Sequence, residues 1–379
     1  MQKNNLIFLC CLLFFSVWLH AQKQPKVGLV LSGGGAKGFA HISVLKEIEK
    51  QGLHLDYIGG TSMGSIIGGL YAIGYSANQI EKLIHSTNFS PLIQDKIPRR
   101  EKTYFEKTFV EKHAFTLPFE KGNLELPKGL SKGQNVLNLL TELFAPVDHI
   151  TDFSKLPIPF YCIATDVETG DEIVLEEGSI PLAVRASSSF PTLLNPVEID
   201  GKLLIDGGVV NNFPADVMQQ KGMDIIIGVN VQGRLAKRKD LTSIAEILGQ
   251  IINFQMYAKS DKQIKLINIH LQPDVKDYTV TSFNKADEIL VKGKKEADAF
   301  ADIFKEIAKK QKRKKKRPKL NLKEKKFLVD RIIVKGNKHY KRNYILGKLQ
   351  LQEGDSVSYK ETSKKINSLS HATTSKRPL

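Results

Sequence analysis

Short apolar runs alternate along this chain with longer segments whose apolar residues recur every three to four positions. The runs predict strands near residues 27–31, 55–59, 159–166, 172–175, 203–206, 224–230 and 265–271. The longer segments predict helices near 38–51, 63–74, 77–86, 131–144, 214–221, 242–260 and 284–309. Strands that alternate with helices are joined by crossovers, so the pattern is that of an α/β layered domain with a mainly parallel central sheet. Residues 88–130 interrupt it with Pro91, Pro98, Pro118, Pro127 and many lysines, and read as a loop-rich cap.

Two turns in the first part of the chain carry candidate chemistry. Gly60-Thr61-Ser62-Met63-Gly64 lies between a predicted strand and a helix that starts near Met63. A serine between two glycines at such a turn fits a nucleophile elbow, because Gly60 and Gly64 let backbone pass close to the serine. The Ser62 hydroxyl then sits at a helix N-terminus, where the dipole favours negative charge. An ordinary strand-to-helix turn is the competing reading. Upstream, Val27–Leu31 runs into Ser32-Gly33-Gly34-Gly35-Ala36-Lys37-Gly38, and Gly33, Gly35 and Gly38 satisfy G-x-G-x-x-G. A dinucleotide fingerprint needs an acid at the end of the next strand, and Asp56 opens that strand instead. The Walker spacing is absent. An oxyanion hole, with successive N–H groups aimed at the charge that forms when a serine attacks an acyl carbon, explains both glycine motifs with one reaction. Lys37 either positions this loop and adds charge or is a solvated lysine at a helix start.

A serine nucleophile needs a proton acceptor. Lys202-Leu203-Leu204-Ile205 is strand-like and ends in Asp206-Gly207-Gly208, which presents a carboxylate at a strand end held by a glycine turn. The order G-G-G-x-K-G, G-T-S-M-G, Arg185-Ala186-Ser187-Ser188-Ser189-Phe190-Pro191 and D-G-G closely resembles the patatin-like phospholipase family over roughly residues 26–310. The resemblance implies a patatin-like three-layer fold and a Ser62–Asp206 dyad, with Gly33, Gly34, Gly35, Ala36, Lys37 and Gly38 supplying oxyanion donors. Gly60, Gly64, Gly207 and Gly208 complete its elbow and turn motifs. It implies deacylation of phospholipids or other acyl esters through an acyl-serine, without metal or cofactor, and no residue cluster has metal-ligand spacing. Because ordinary carboxylates are weak bases at neutral pH, Asp206 is expected to be desolvated, with a raised pKa. A Ser-Asp-His triad with His270 competes with the dyad; a polar residue at a strand end is the plainer reading of that histidine. In the cap, Leu92, Ile97, Phe105, Phe109, Phe115 and Phe119 are candidates to line an acyl groove, against simple packing of the cap on the core.

The 379 residues suffice for two domains. Residues 1–22, with Lys3, an apolar run from Leu6 to Leu19 and Ala21 before a cut, read as a secretory signal peptide, with a retained anchor as the alternative. Cys10 and Cys11 fall inside that run, which leaves Cys162 alone in an exported chain and so no intramolecular disulfide. Cys162 reads as a small buried apolar residue.

Between Lys309 and Lys326 twelve lysines and arginines face one acid, Glu324, so +11 of the chain's net +16 sits in one linker. The chain is therefore not uniformly basic, and nucleic-acid binding is not expected of it. Attraction of this linker to anionic lipid competes with a plain solvated linker. Residues 327–369, with a strand over Phe327–Val334, a Gly336-Asn337 turn and helices at 341–349 and 358–369, resemble the start of an α+β POTRA domain. In secreted patatin-like proteins such a domain joins the enzyme to an outer-membrane barrel, which makes a barrel assembly partner and an exported, cell-envelope location the expectation. The domain's remaining strands are missing, and 370–379 reads as an irregular tail. The expected organisation is a signal peptide at 1–22, a catalytic domain at 26–308, a linker at 309–326 and this incomplete domain at 327–369. A cell-envelope adaptor with an incidental enzyme fold is the alternative from another class, and a nucleotide-binding protein using the 33–38 loop is a second.

Overall fold

A computed structural model of the chain describes residues 24–96, 119–120, 123–124, 131–191, 193–233, 235, 237–238, 241, 244–311, 320, 326–337 and 340–372. The signal segment, Ile97, Phe105, Phe109, Phe115, most of the basic linker and residues 373–379 lie outside the described residues. Phe119 falls in a two-residue strand, Phe119–Glu120, paired with Asn123–Leu124.

An eight-stranded sheet forms the centre. In chain order its strands are β1 (Val27–Leu31), β2 (Tyr57–Thr61), β3 (Phe160–Asp166), β4 (Glu172–Leu175), β5 (Val197–Ile199), β6 (Lys202–Asp206), β7 (Ile225–Val229) and β8 (Ile269–Leu271). The helices are α1 (Ala40–Gln51), α2 (Met63–Ile73), α3 (Ala77–Ser86), α4 (Phe89–Ile93), α5 (Gln134–Phe144), α6 (Ile180–Ser187), α7 (Ala215–Gln220), α8 (Ile244–Ile264), α9 (Ala286–Ala299) and α10 (Ala301–Gln311). Across the sheet the order is β8-β7-β1-β2-β3-β6-β5, with β4 also paired to β3. The run from β8 to β3 is parallel, and β4, β5 and β6 join antiparallel.

Both faces of the sheet are covered. Val27, Leu29 and Leu31 of β1 enter one core with α1, α2 and α9, while Val30 enters a second with Tyr161, Phe213, Val217 and Met218. A strand buried on both sides reads as a continuous apolar run, which is why β1 shows no alternation. The result is a three-layer α/β fold; the sequence pattern predicts its layered α/β character and mainly parallel sheet, and the resemblance its three layers.

One detail of register positions the site. β2 pairs with Phe160–Ile163 of β3, and β6 pairs with Ala164–Asp166. β4 pairs with Cys162–Thr165 and takes the opposite edge. β2 and β6 therefore share one edge of β3, run in opposite directions, and meet C-terminus to C-terminus. Residues 144 positions apart become neighbours at that junction.

Several expected elements differ. The strand expected over 265–271 is confined to Ile269–Leu271, because α8 continues to Ile264. The helix expected over 284–309 is two, α9 and α10, parted at Phe300, which packs on the core. α6 lies outside the expected helices; its Pro181 stands in the first turn, where a missing N–H has no partner to lose.

Beyond the linker, β9 (Lys326–Leu328) pairs antiparallel with β10 (Ser356–Ser358), flanking α11 (Arg342–Leu349) and followed by α12 (Tyr359–Ala372). The strand expected over Phe327–Val334 ends at Leu328, where pairing ends, and α12 reaches into the tail expected to be irregular. Val329, Leu349, Leu351 and Val357 form a small core of their own. Tyr359 Oη donates to Asp148 Oδ2 at 2.7 Å, tying this unit to the segment after α5. No helix among the described residues is long and apolar enough to cross a membrane.

Candidate active site

The β2–β6 junction brings Ser62 and Asp206 into contact: Ser62 Oγ donates to Asp206 Oδ2 at 2.6 Å. Ser62 has φ 53° and ψ −123°, a conformation that a non-glycine residue holds only under constraint from its surroundings. The flanking glycines supply that constraint. A Cβ on Gly64 would lie 2.3 Å from the Leu31 carbonyl oxygen, and one on Gly60 would lie 2.6 Å from the backbone of Gly64. Ser62 opens α2, and its own N–H donates to Ser187 Oγ at 3.1 Å.

Asp206 is 2% exposed. Its Oδ1 accepts the Gly208 N–H at 2.7 Å, which leaves Oδ2 to the serine. Burial pushes its pKa from an ordinary 3.8 up to about 6, against the opposing pull of the hydrogen bonds from Ser62 and Gly208. Gly207 passes so close to β3 that a Cβ would sit 2.2 Å from the Ile163 oxygen.

The glycine loop lies against this pair. A Cβ on Gly33 would come within 3.0 Å of the Ser62 Cβ. Gly33 N–H donates to the Asn212 carbonyl, Ala36 N–H to Val280 and Lys37 N–H to Gly34, so these three amides do not point donors into the cavity. The N–H groups of Gly34 and Gly35 have no acceptor among the described residues, and both residues line the cavity. Gly35 has φ +55°, and a Cβ there would meet the Val280 oxygen at 2.2 Å. Gly38 faces Met63, where a Cβ would lie 2.5 Å from Cγ. Lys37 lines the cavity, has no carboxylate partner among the described residues, and burial lowers its pKa.

Two supports, Asn212 and His41, escaped sequence reasoning, and the role of a third, Arg185 of the 185–191 block, was not read from it. Asn212 donates from Nδ2 to the Gly33 carbonyl at 3.3 Å, coupling the loop to the turn after Asp206. His41 is fully buried and bonds through Nε2 to the Ser32 carbonyl at 2.9 Å; burial takes its pKa down to about 4, so it is a neutral donor that pins the loop from behind. Arg185, 2% exposed, donates to the carbonyls of Lys132, Gly133 and Asn195 and to Ser189 Oγ. The Ser189 carbonyl in turn accepts the Asp206 N–H at 3.0 Å. One arginine in an otherwise apolar helical stretch was the available signal for this cage.

His270 is not part of the pair. It sits on β8, separated from β2 by β7 and β1, about 14 Å across the sheet. Its ring packs against Phe213, and its Nε2 is buried without a partner.

Ser62 and Asp206 open onto a cavity of about 1500 Å³. One arm is apolar, walled by Ile66 and Leu70 of α2, Leu83 of α3 and Val136, Leu140 and Leu143 of α5. Leu92, expected in such a groove, lines it too. The other arm is polar, with Lys37, Gln232 and Lys237. No group of three or more metal-ligating side chains gathers among the described residues.

A family model described as patatin-like phospholipase matches residues 29–218, half of the chain. An uncharacterised NTE-family protein of Mycobacterium tuberculosis is 26% identical over 215 residues, covering 57% of this chain and 51% of that one. The lysophospholipase NTE1 of Scheffersomyces stipitis is 27% identical over 298 residues, covering 72% of this chain and 18% of its own length. Among solved structures, VipD from Legionella pneumophila aligns with 74% of this chain and 67% of its own at 15% identity and a TM-score of 0.38. The chain thus spans about half the length of the mycobacterial relative and a smaller part of the lysophospholipase. With the matched segment running from β1 through α7, and so through both the serine turn and the aspartate turn, this chain belongs to the patatin-like phospholipase family.

Proposed function

We propose that the protein is a serine lipid acyl hydrolase working through a Ser62–Asp206 dyad. The observation that carries this reading is the 2.6 Å contact between Ser62 Oγ and Asp206 Oδ2 at the head of the cavity. Ser62 Oγ attacks the acyl carbonyl carbon while its proton passes to Asp206 Oδ2. The carbonyl oxygen becomes an oxyanion, which the free N–H groups of Gly34 and Gly35 and the N-terminal end of α2 stabilise. The C–O bond to the alcohol breaks, and the alcohol leaves with the proton held by Asp206. Water then attacks the acyl-serine, passing a proton through Asp206 back to Ser62 Oγ and releasing the fatty acid. A pKa near 6 makes Asp206 largely ionised at neutral pH, yet far more basic than an exposed carboxylate.

The cavity supports a substrate with an acyl chain in the apolar arm and a polar group toward Lys37. A half-buried ammonium without a carboxylate partner favours an anion beside it. A phospholipid or lysophospholipid, cleaved as by a phospholipase A, meets both demands. The lysophospholipase name of one relative agrees with this class. Export, an envelope location and a barrel partner for the C-terminal unit extend the proposal on sequence grounds alone.

The test is fatty-acid release from lysophosphatidylcholine and phosphatidylcholine by the purified protein and its Ser62→Ala variant. The reading predicts release by the wild type and background levels from the variant. No release from either lipid or from simple acyl esters, or equal release by the two proteins, would exclude it.

A further inference from the structure

The end of α8 is seated on the domain. Ser260 and Gln263 are buried, Gln263 Oε1 accepts the Asp216 N–H at 2.8 Å, and Lys259 pairs with Glu172 and Asp216. Toward its start, Ile247, Ile251 and Phe254 stand 46%, 52% and 50% exposed. Spacings of four and three residues put all three on one face of the helix. Single exposed apolar side chains are ordinary on a protein surface, but three on adjacent turns form a stripe.

The stripe borders the cavity. Gln250 and Tyr257 of the same helix line the cavity, as do Leu235 and Val280, which are themselves exposed apolar residues. Immediately before the helix, the run Arg234–Asp240 holds four cations and one acid, and Lys237 and Arg238 are exposed. Asp274, Lys276 and Asp277 also line the cavity, with Lys276 paired to Asp274.

We infer that this face of α8 docks on a lipid surface, with Ile247, Ile251 and Phe254 immersed at the headgroup–acyl boundary and Lys237 and Arg238 against anionic headgroups. The inference rests on the hydrolase reading in one respect: a cavity that takes an acyl chain must open toward the phase that holds it. Docking along the stripe lets a lipid pass from the bilayer into the apolar arm without crossing water. A second copy of the chain fits the same face poorly, since a two-fold contact would bring two basic runs together and cover the mouth. The helix lies on the surface rather than spanning it.

The test uses the full chain with Ser62→Ala, so that binding is read whether or not the protein is a hydrolase. Vesicles of phosphatidylcholine alone, at high salt, silence the basic linker. Co-sedimentation is expected to fall at least about tenfold on Ile247→Gln/Ile251→Gln/Phe254→Gln, with the thermal midpoint unchanged. A second variant reports location directly. Phe254→Trp, in a chain whose one native tryptophan is Trp18, should shift its emission to the blue on adding the vesicles. Unchanged sedimentation of the triple variant, or no shift at position 254, overturns the inference. So does a wild-type dimer in solution that the triple variant dissociates. With Ser62 restored, docking without fatty-acid release would instead sink the hydrolase reading and leave docking standing.

Discussion

The two ends of the cavity are built on different principles. At the reacting end, backbone geometry dominates: two strand ends abut on one edge of β3, and glycines stand where a single added carbon would lie 2.2–2.6 Å from a carbonyl or amide group. At the far end, aliphatic side chains from α2, α3 and α5 face one another with no polar contact among them to fix a distance. The first end specifies a reaction and tolerates almost no change. The second specifies only hydrophobicity and approximate length, and can change by a methylene at modest cost.

The largest effect should come from the dyad itself. Ser62→Ala and Asp206→Asn are each expected to lower kcat/KM about 10⁴-fold or more, measured as fatty-acid release. Asp206→Asn carries a second signature. Folding raises this carboxyl from 3.8 to about 6, so its contribution to stability is full below about pH 4 and is lost as pH rises through about 6. Two pH units correspond to about 3 kcal/mol. The inactive Asp206→Asn protein should therefore be the more stable one at pH 8, by up to about 3 kcal/mol in denaturant unfolding, with the advantage gone at pH 4. Wild-type kcat/KM should rise with pH and level off above about 6, as the base loses its proton.

Next is Gly64→Ala. Its Cβ cannot be placed 2.3 Å from the Leu31 oxygen, so α2 must move and take Ser62 with it. A loss of about 10²-fold or more in kcat with little change in KM would fit a displaced nucleophile. Wild-type activity in this variant would mean that the elbow is less constrained than its geometry states.

Arg185→Met should act through stability. It strips the donor from the buried Gly133 carbonyl, from the part-buried carbonyls of Lys132 and Asn195 and from Ser189 Oγ, and a cost of about 3 kcal/mol is expected in urea unfolding.

The smallest effect belongs to the apolar end. Ile66→Trp should lower kcat/KM for long acyl chains about tenfold and leave short chains nearly unchanged, since each buried CH₂ contributes about 0.8 kcal/mol. Equal loss at every chain length would remove the distinction between the two ends.

Much of the reacting end was legible because its constraints are local. A glycine that must be a glycine shows itself as one letter, and both turns show their chemistry within a few residues. What brings the two turns together was not legible, because it depends on β2 and β6 sharing an edge of β3, a matter of register between distant strands. The supports are equally hidden. Asn212 reaches the 33–38 loop at Gly33 and His41 the Ser32 carbonyl just before it, and neither stands in a pattern of its own. Of the apolar arm, Leu92 was read from the sequence and the helical walls were not. Ile66 and Leu70 lie on a helix that is apolar nearly all round, and Leu140 on the apolar face of α5, where a cavity-lining residue cannot be told from a core residue by pattern.

Active-site labelling with a fluorophosphonate ester, read by mass spectrometry, bears most directly on the Ser62–Asp206 pair. The wild type should carry one adduct, on Ser62, with labelling absent from Ser62→Ala and strongly slowed in Asp206→Asn. An adduct on another residue, or equal labelling of wild type and Ser62→Ala, would contradict the dyad outright.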